Sequence, residues 1–352
     1  MNFSRTLIIK PSSMGDIVQA LPVLTALKES HPEAHVTWLL SRPFAGLLEG
    51  HPRLDEMVVF DRHEFGRIGR SARATASFIA FLEDLRRRRF TTVLDLQGLF
   101  RSGFLAAATG APSRVGFTKA REMAPLFYTD RVAAPEEMHA VDRYMALARH
   151  VGLAAPRATD HLPVAPEDRA AVRSRLAAEG VAADQPLLVV AAHARWETKQ
   201  WPPERFAEVL DRLASEAGAR AVLVGSVAAA AVGREVARTA KSRPIDLTNR
   251  TALRELVALI AEARAMVTND SGPMHIAAAV GTPVVAIFGP THPDRTGPRG
   301  PGHRVLAGRA PCSPCYRRQC LYAGGPEALC CMKNVTAEEV ARHLREIWNW
   351  KG

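Results

Sequence analysis

The residues able to do chemistry in this chain gather in two short acidic turns and one lysine-bearing loop. The first turn is Ser12-Ser13-Met14-Gly15-Asp16. Gly15 permits close backbone approach, and a helix starting here would offer free N–H groups to an anion. Asp16 has two readings. As a helix cap it contributes about 1 kcal/mol. As a carboxylate facing a ligand it can take a proton from an acceptor hydroxyl, the work of a general base. Spacing alone favours the cap. The second turn is Thr268-Asn269-Asp270-Ser271-Gly272-Pro273-Met274-His275. Ser271 and Gly272 would present hydroxyl and backbone donors at a helix start, which suits a diphosphate, and His275 adds a donor for the same oxygens. Ordinary caps at Asp270 and Ser271, with His275 on the surface, explain that spacing equally well. The loop 196–201 holds Thr198 and Lys199. The lysine offers a point charge for phosphate, although a lone lysine is more often simply solvated.

Five cysteines fall late in the chain. Cys312-x-x-Cys315, followed by Cys320 and Cys330 or Cys331, has the ligand count of a structural zinc site, with Cys312, Cys315, Cys320 and Cys331 as the candidate ligands, but one C-x-x-C with irregular spacing after it favours no metal. The competing reading is a loop of reduced thiols.

Positioning these residues requires strands that end where the turns begin. Residues 6–9 read as a strand and 17–27 as an apolar-periodic helix, with further strands at 35–40, 57–60 and 91–96 and a helix at 72–89. After a Pro- and Ala-rich stretch at 154–166 the alternation restarts, with strands at 187–192, 221–224, 265–267 and 284–288 and helices at 203–216, 253–263 and 275–280. This pattern predicts an α/β protein of two Rossmann-like, doubly wound domains facing a central cleft. The expected divisions are 1–165 and 166–335, with a last helix in 336–352 packing back on the first domain. Thr336 followed by Glu339 marks its capping box. Both acidic turns then sit at carboxyl ends of strands, where open sheets bind ligands. No G-x-G-x-x-G follows the first strand, which argues against an NAD-dependent dehydrogenase.

The 352 residues are 47% hydrophobic and 23% charged, a globular composition. The net charge is +10 and the pI near 9.8, carried mostly by arginine. That favours an acidic partner, or else reflects a codon bias. Aromatic residues are few and not interleaved with the basic ones, so nucleic-acid stacking is not expected. The apolar run at 7–9 is too short for a signal peptide and 276–289 too short for a bilayer span, so the chain is expected in the cytoplasm with only peripheral membrane contact.

The segment Ile8-Ile9-Lys10-Pro11-Ser12-Ser13-Met14-Gly15-Asp16 with Leu21-Pro22 resembles the opening of the glycosyltransferase family nine heptosyltransferases. Asp95-Leu96-Gln97-Gly98-Leu99, the stretch 195–202 and 269–290 are similar to the same family in the same order. The resemblance spans nearly the whole chain. It implies a GT-B fold and transfer of heptose from ADP-heptose to the inner core (Kdo or heptose) of lipopolysaccharide, at the cytoplasmic face of the inner membrane. It implies inversion at the anomeric carbon, with Asp16 as base and no metal required for transfer. Ser13, Gly15, Thr198, Lys199, Leu247, Asp270, Ser271, Gly272 and His275 become the expected donor contacts. Arg62, Arg67, Arg101, Lys119, Arg121 and Arg143 become candidates for clamping an anionic acceptor. The loop 225–233 is alanine- and valine-rich where the family pattern leads one to expect an acidic side chain near the donor ribose. Two readings stand beside this one: a transferase of the same family using another nucleotide sugar for surface polysaccharide, and a non-catalytic nucleotide-sugar-binding protein.

Overall fold

A computed structural model describes residues 1–157 and 162–348. Part of the predicted linker, 158–161, and residues 349–352 of the predicted C-terminal segment lie outside the described residues. The chain divides into two units, Met1–Pro163 and Val164–Gly352. The division falls two residues before the expected one.

The first unit is a six-stranded parallel sheet of β1 (Arg5–Ile9), β2 (His35–Ser41), β3 (Glu56–Phe60), β4 (Thr92–Asp95), β5 (Ser113–Phe117) and β6 (Asp130–Val132). Its order is β3-β2-β1-β4-β5-β6. β1 lies in the middle and is buried from Thr6 onward, so it reads as a continuous apolar run rather than an alternation. The chain winds outward from β1 to β3, then returns to place β4 on the other side of β1. The sheet's switch point, where such folds open a ligand crevice, therefore lies between the ends of β1 and β4. Ile9 pairs with Asp95 in that register. The helix Met14–Ser30 follows β1 and buries Ile17, Leu21, Leu24 and Leu27. Its last turn is tied to β2. Lys28 Nζ donates to the Ala34 carbonyl at 2.6 Å and meets Asp55 Oδ2 at 2.7 Å, while the Val36 N–H donates to the same carboxylate oxygen at 2.7 Å. Burial alone would raise the Asp55 pKa, but Lys28 and the Val36 N–H outweigh it and hold the group below its ordinary value.

The second unit repeats the plan. Its parallel strands are β7 (Leu187–Ala191), β8 (Arg220–Leu223), β9 (Ile245–Asp246), β10 (Ala265–Asn269), β11 (Val284–Phe288) and β12 (Arg304–Ala307), in the order β12-β11-β10-β7-β8-β9. The switch point here lies between β7 and β10. Trp201, Phe206, Leu210 and Leu213 fill one face of the sheet.

The last helix spans Ala337–Trp348. Its Val340, Ala341, Leu344 and Ile347 belong to the same core cluster as Trp201 and Phe206. Its apolar face is buried within the second unit, against the helix Pro203–Ala217. The capping box is present: Thr336 N–H donates to Glu339 Oε2 at 2.9 Å, and the Glu339 N–H to Thr336 Oγ1 at 3.2 Å.

Candidate active site

In the first unit the two carboxylate oxygens of Asp16 have different surroundings. One oxygen caps the helix: Asp16 Oδ2 accepts from the Ser13 N–H at 2.9 Å and from the Ser13 hydroxyl at 2.6 Å. The other oxygen, Oδ1, lies 4.0 Å from Lys10 Nζ and 3.5 Å from the Tyr144 hydroxyl. The cap fixes the rotamer and so aims Oδ1. The Asp16 side chain is 41% exposed, whereas Lys10 is 5% exposed. Lys10 follows β1 directly, donates to the Leu96 carbonyl at 3.3 Å and lies 5.1 Å from the centre of the Tyr144 ring. Burial alone would push the Lys10 pKa down; Tyr144, Asp16 and Asp95 more than offset it, so the ammonium is retained. Burial in turn raises the Tyr144 hydroxyl, against the pull of Lys10. Sequence reasoning quoted Lys10 only as part of a motif and missed Tyr144, which is 128 positions from Asp16. Of the two expected donor contacts beside it, Ser13 donates its hydroxyl to the Asp16 carboxylate, and Gly15 is buried in the first turn of the helix.

The turn after β4 is built on a buried carboxylate. Asp95 accepts from the Gln97 N–H at 2.9 Å, the Gly98 N–H at 3.1 Å and the Tyr128 hydroxyl at 2.7 Å. Burial raises the Asp95 pKa against these bonds, and burial beside Asp95 raises that of Tyr128. Gly98 adopts φ +66, and a Cβ there would stand 3.2 Å from the Ala120 Cβ. Two polar atoms at this end of the sheet are buried with no hydrogen-bond partner among the described residues: Gln97 Oε1 and Arg143 Nε. Arg143 also stacks on Phe117, the last residue of β5, at 4.5 Å. A buried unpaired donor and acceptor are costly unless a ligand completes them. The other expected acceptor cations, Arg62, Arg67, Arg101, Lys119 and Arg121, are exposed; Arg101 lies over the Phe60 ring at 5.7 Å.

In the second unit the structure brings together Lys199, from the loop after β7, and Asp270, from the turn after β10. Lys199 Nζ meets Asp270 Oδ2 at 2.5 Å, and Thr291 Oγ1 donates to the same oxygen at 2.6 Å. Asp270 thus orients the lysine. Its side chain is 7% exposed and that of Lys199 17%. Asn269 bolts the two loops together: it accepts from the Trp201 N–H at 3.0 Å and donates to the Ala192 carbonyl at 2.7 Å. Ser271 stands at the N-cap position of the helix Gly272–Val280 without a side-chain capping bond, its hydroxyl 3.1 Å from Thr268 Oγ1. His275 is buried in that helix's first turn. Thr198 stands next to Lys199 in the 3-10 turn Glu197–Lys199. It is buried, and its hydroxyl donates to the Arg317 carbonyl at 2.7 Å. Leu247 is buried beyond β9, lining a small cavity with Val172, Leu176 and Leu259. Asp246 comes close to the alanine-rich loop, since a Cβ on Gly233 would stand 3.3 Å from its Oδ1, and that oxygen is engaged by Thr248 at 2.6 Å.

The cysteine-rich segment runs along the same end of this sheet. Ser313 Oγ donates to the Gly289 carbonyl at 2.5 Å and the Tyr316 N–H to the Pro290 carbonyl at 2.8 Å. Arg318 reaches the Trp196 ring at 5.5 Å, and Lys199 lies 4.7 Å from the same ring. The candidate zinc site is not formed: among the described residues no three His, Cys, Asp or Glu side chains gather around one position. The reason is local. Cys320 Sγ accepts from the Leu329 N–H at 3.3 Å, while Cys331 is buried in the core, its thiol pushed up to about 11 by burial and by neighbouring thiols.

Comparison with known proteins follows this geometry. The lipopolysaccharide heptosyltransferase 1 of Pseudomonas aeruginosa is 28% identical over 322 residues, covering 90% of this chain and 88% of that protein. The solved structure of Escherichia coli ADP-heptose lipopolysaccharide heptosyltransferase II is 25% identical with a TM-score of 0.79, covering 98% of each chain. An Escherichia coli heptosyltransferase solved with ADP is 25% identical with a TM-score of 0.77, covering 97% of this chain and 99% of that one. The expected GT-B class of α/β fold holds. Residues 78–324 match the family described as glycosyltransferase family 9 (heptosyltransferase). Spanning more than half of the sequence, that match establishes that the chain belongs to glycosyltransferase family 9 and is a glycosyltransferase.

Proposed function

We propose that this chain transfers heptose from ADP-heptose to the inner core of a lipopolysaccharide precursor, with inversion, at the cytoplasmic face of the inner membrane. The observation that carries the reading is the division of labour on Asp16. Oδ2 is held by Ser13, while Oδ1 lies toward Lys10 and Tyr144 on a side chain 41% open to solvent. In the reaction an acceptor hydroxyl gives its proton to Asp16 Oδ1 as its oxygen bonds to the anomeric carbon. The bond from that carbon to the diphosphate breaks, and its electron pair leaves with ADP. One displacement inverts the carbon through an oxocarbenium-like state.

The second unit's task is to stabilise the charge gathering on the leaving diphosphate. Lys199 supplies a cation held in place by Asp270, and the N–H groups opening the helix Gly272–Val280, with His275, supply donors. This neutralisation makes no demand for a metal. Asp270 acts by positioning Lys199 rather than by touching phosphate, since its Oδ2 is already shared by Lys199 and Thr291. The orphaned Gln97 Oε1 and Arg143 Nε suit a polar acceptor that both donates and accepts. Support for the donor comes from the two Escherichia coli relatives, one named for ADP-heptose and one solved with ADP.

The test offers ADP-, UDP- and GDP-linked sugars with a Kdo-bearing lipid acceptor and follows nucleotide release. Release of ADP from ADP-heptose, with product of opposite anomeric configuration, supports the reading. Release of UDP or GDP instead, or retained configuration, overturns it.

A further inference from the structure

We propose that the edge carrying Phe100, Met123 and Leu126 docks the enzyme on an anionic lipid bilayer. Leu126 is 70% exposed, Met123 63% and Phe100 47%, and all three belong to one corner of the first unit. Single exposed apolar residues are ordinary, but three large ones sharing a corner are not. The corner is rigid. The 3-10 turn Ala124–Phe127 lies on the helix Phe100–Ala108, where Phe127 meets Phe100 edge-on at 5.3 Å and Phe104 at 6.3 Å. A Cβ on Gly103 would stand 2.8 Å from the Phe127 ring and 3.0 Å from the Ala124 carbonyl, so only glycine allows this approach. Glu122 and Met123 both adopt left-handed conformations, at φ +55 and +60, and the Arg121 N–H donates to the Gly98 carbonyl at 2.9 Å. The turn is thereby held with its apolar side chains in water.

The charge around this corner names the partner. Arg101, Lys119 and Arg121 are exposed, Arg101 lying over the Phe60 ring at 5.7 Å; Glu122 is the acid beside them in sequence. Large apolar tips ringed by exposed cations are the signature of a surface that inserts shallowly into an anionic leaflet. A protein partner would more often meet a wider, flatter apolar patch. The corner also has the right address. Phe100 follows directly on the Gln97-Gly98 turn at the carboxyl end of β4, the end of the sheet that carries Asp16. A bilayer held there presents its headgroups to that end. The biological sense of this placement rests on the lipid-linked acceptor proposed above, but its test does not.

The experiment is co-sedimentation of the full chain with vesicles of phosphatidylethanolamine and phosphatidylglycerol, and with vesicles of phosphatidylcholine alone. Neither contains acceptor or donor, so failure of the transfer reading and failure of this one are separable. The wild type is expected to pellet with the anionic vesicles and to be released by salt. Leu126→Asp and Met123→Asp should each weaken binding roughly 10-fold, and Arg121→Glu at least 5-fold with a shallower salt dependence. ADP affinity, measured on the same variants, is expected to be unchanged and reports that the fold is intact. Equal pelleting of wild type and Leu126→Asp, absence of pelleting with anionic vesicles, or binding only when a Kdo-bearing lipid is added would each overturn the proposal. The last outcome would assign the corner to the acceptor molecule itself.

Discussion

Replacing Lys10 by methionine probes the environment of the proposed base without emptying its packing. Methionine keeps an apolar stem beside Tyr144 and removes only the ammonium, which lies 4.0 Å from Asp16 Oδ1. Two unit charges at that separation interact by about 1 kcal/mol in water and about 4 kcal/mol at the effective dielectric near a protein surface. Lys10 is 5% exposed but Asp16 is 41% exposed, so solvent screening places the interaction toward the lower end. Roughly 1.4 kcal/mol is a reasonable figure, and it corresponds to about one pH unit. The sign follows from the charge: a neighbouring cation favours the ionised carboxylate, so its removal lets the base take up a proton at higher pH. Because Lys10 itself is held above its ordinary pKa, it stays cationic across the assay range and adds no limb of its own. The assay is the pH dependence of kcat/KM for nucleotide release. The acid limb should move up by about one pH unit in Lys10→Met, with the plateau largely retained, and Lys10→Arg should restore it. An acid limb that stays where it is in Lys10→Met would refute the coupling between Lys10 and Asp16.

The remaining predictions concern binding and stability. Lys199→Met should weaken ADP affinity by about 10- to 100-fold in calorimetry, if Lys199 makes the charge-assisted diphosphate contact proposed for it. It also strands the buried Asp270, so adding Asp270→Asn should recover melting temperature without recovering affinity. Asn269→Ala leaves the Trp201 N–H and the Ala192 carbonyl without their partner and should cost roughly 2–4 kcal/mol in denaturant unfolding. A loss below the error of that measurement would mean the loops are tied elsewhere. Asp55→Asn should destabilise by about 1 kcal/mol at neutral pH, discounted for an Asp55 side chain 35% exposed. The Asp55 pKa is depressed in the folded state, so its contribution is present above the unfolded value and is lost as pH falls through the folded one. Wild type and variant should therefore converge in melting temperature under acid conditions.

What the sequence revealed follows where local signals suffice. β1, β7, β10 and β11 are covered on both faces, so their unbroken apolar runs stand out. β12 is nearly all exposed and β9 has two residues, so neither produces a pattern to read, and both were missed. β5 and β6 were missed too; the latter has only three residues. The amphipathic stripe of Ala337–Trp348 announced a docked helix, but a stripe of Val340, Leu344 and Ile347 fits any apolar surface, and only the fold decides which. The same holds at the sites. Asp16 and the 269–275 turn were legible because strand, turn and helix follow one another along the chain. Lys10 with Tyr144, Lys199 with Asp270 and Trp196 with Arg318 are meetings of distant segments, invisible to spacing. The partner of Thr198 is hidden for a related reason: its hydroxyl donates to the Arg317 carbonyl, 119 positions on. The cysteines show the same limit, since ligand count in sequence says nothing of whether Cys331 turns into the core.

The most direct test of the central claim is the single-turnover rate of Asp16→Asn at saturating donor. Asparagine keeps the oxygen that caps the helix and loses the capacity to accept a proton. General-base catalysis is typically worth about 10²- to 10⁴-fold, so the rate should fall by that much while ADP affinity stays within about 2-fold of wild type. A variant that turns over within about 3-fold of wild type would contradict the assignment of Asp16 as the base, because so small a loss is below what that role contributes.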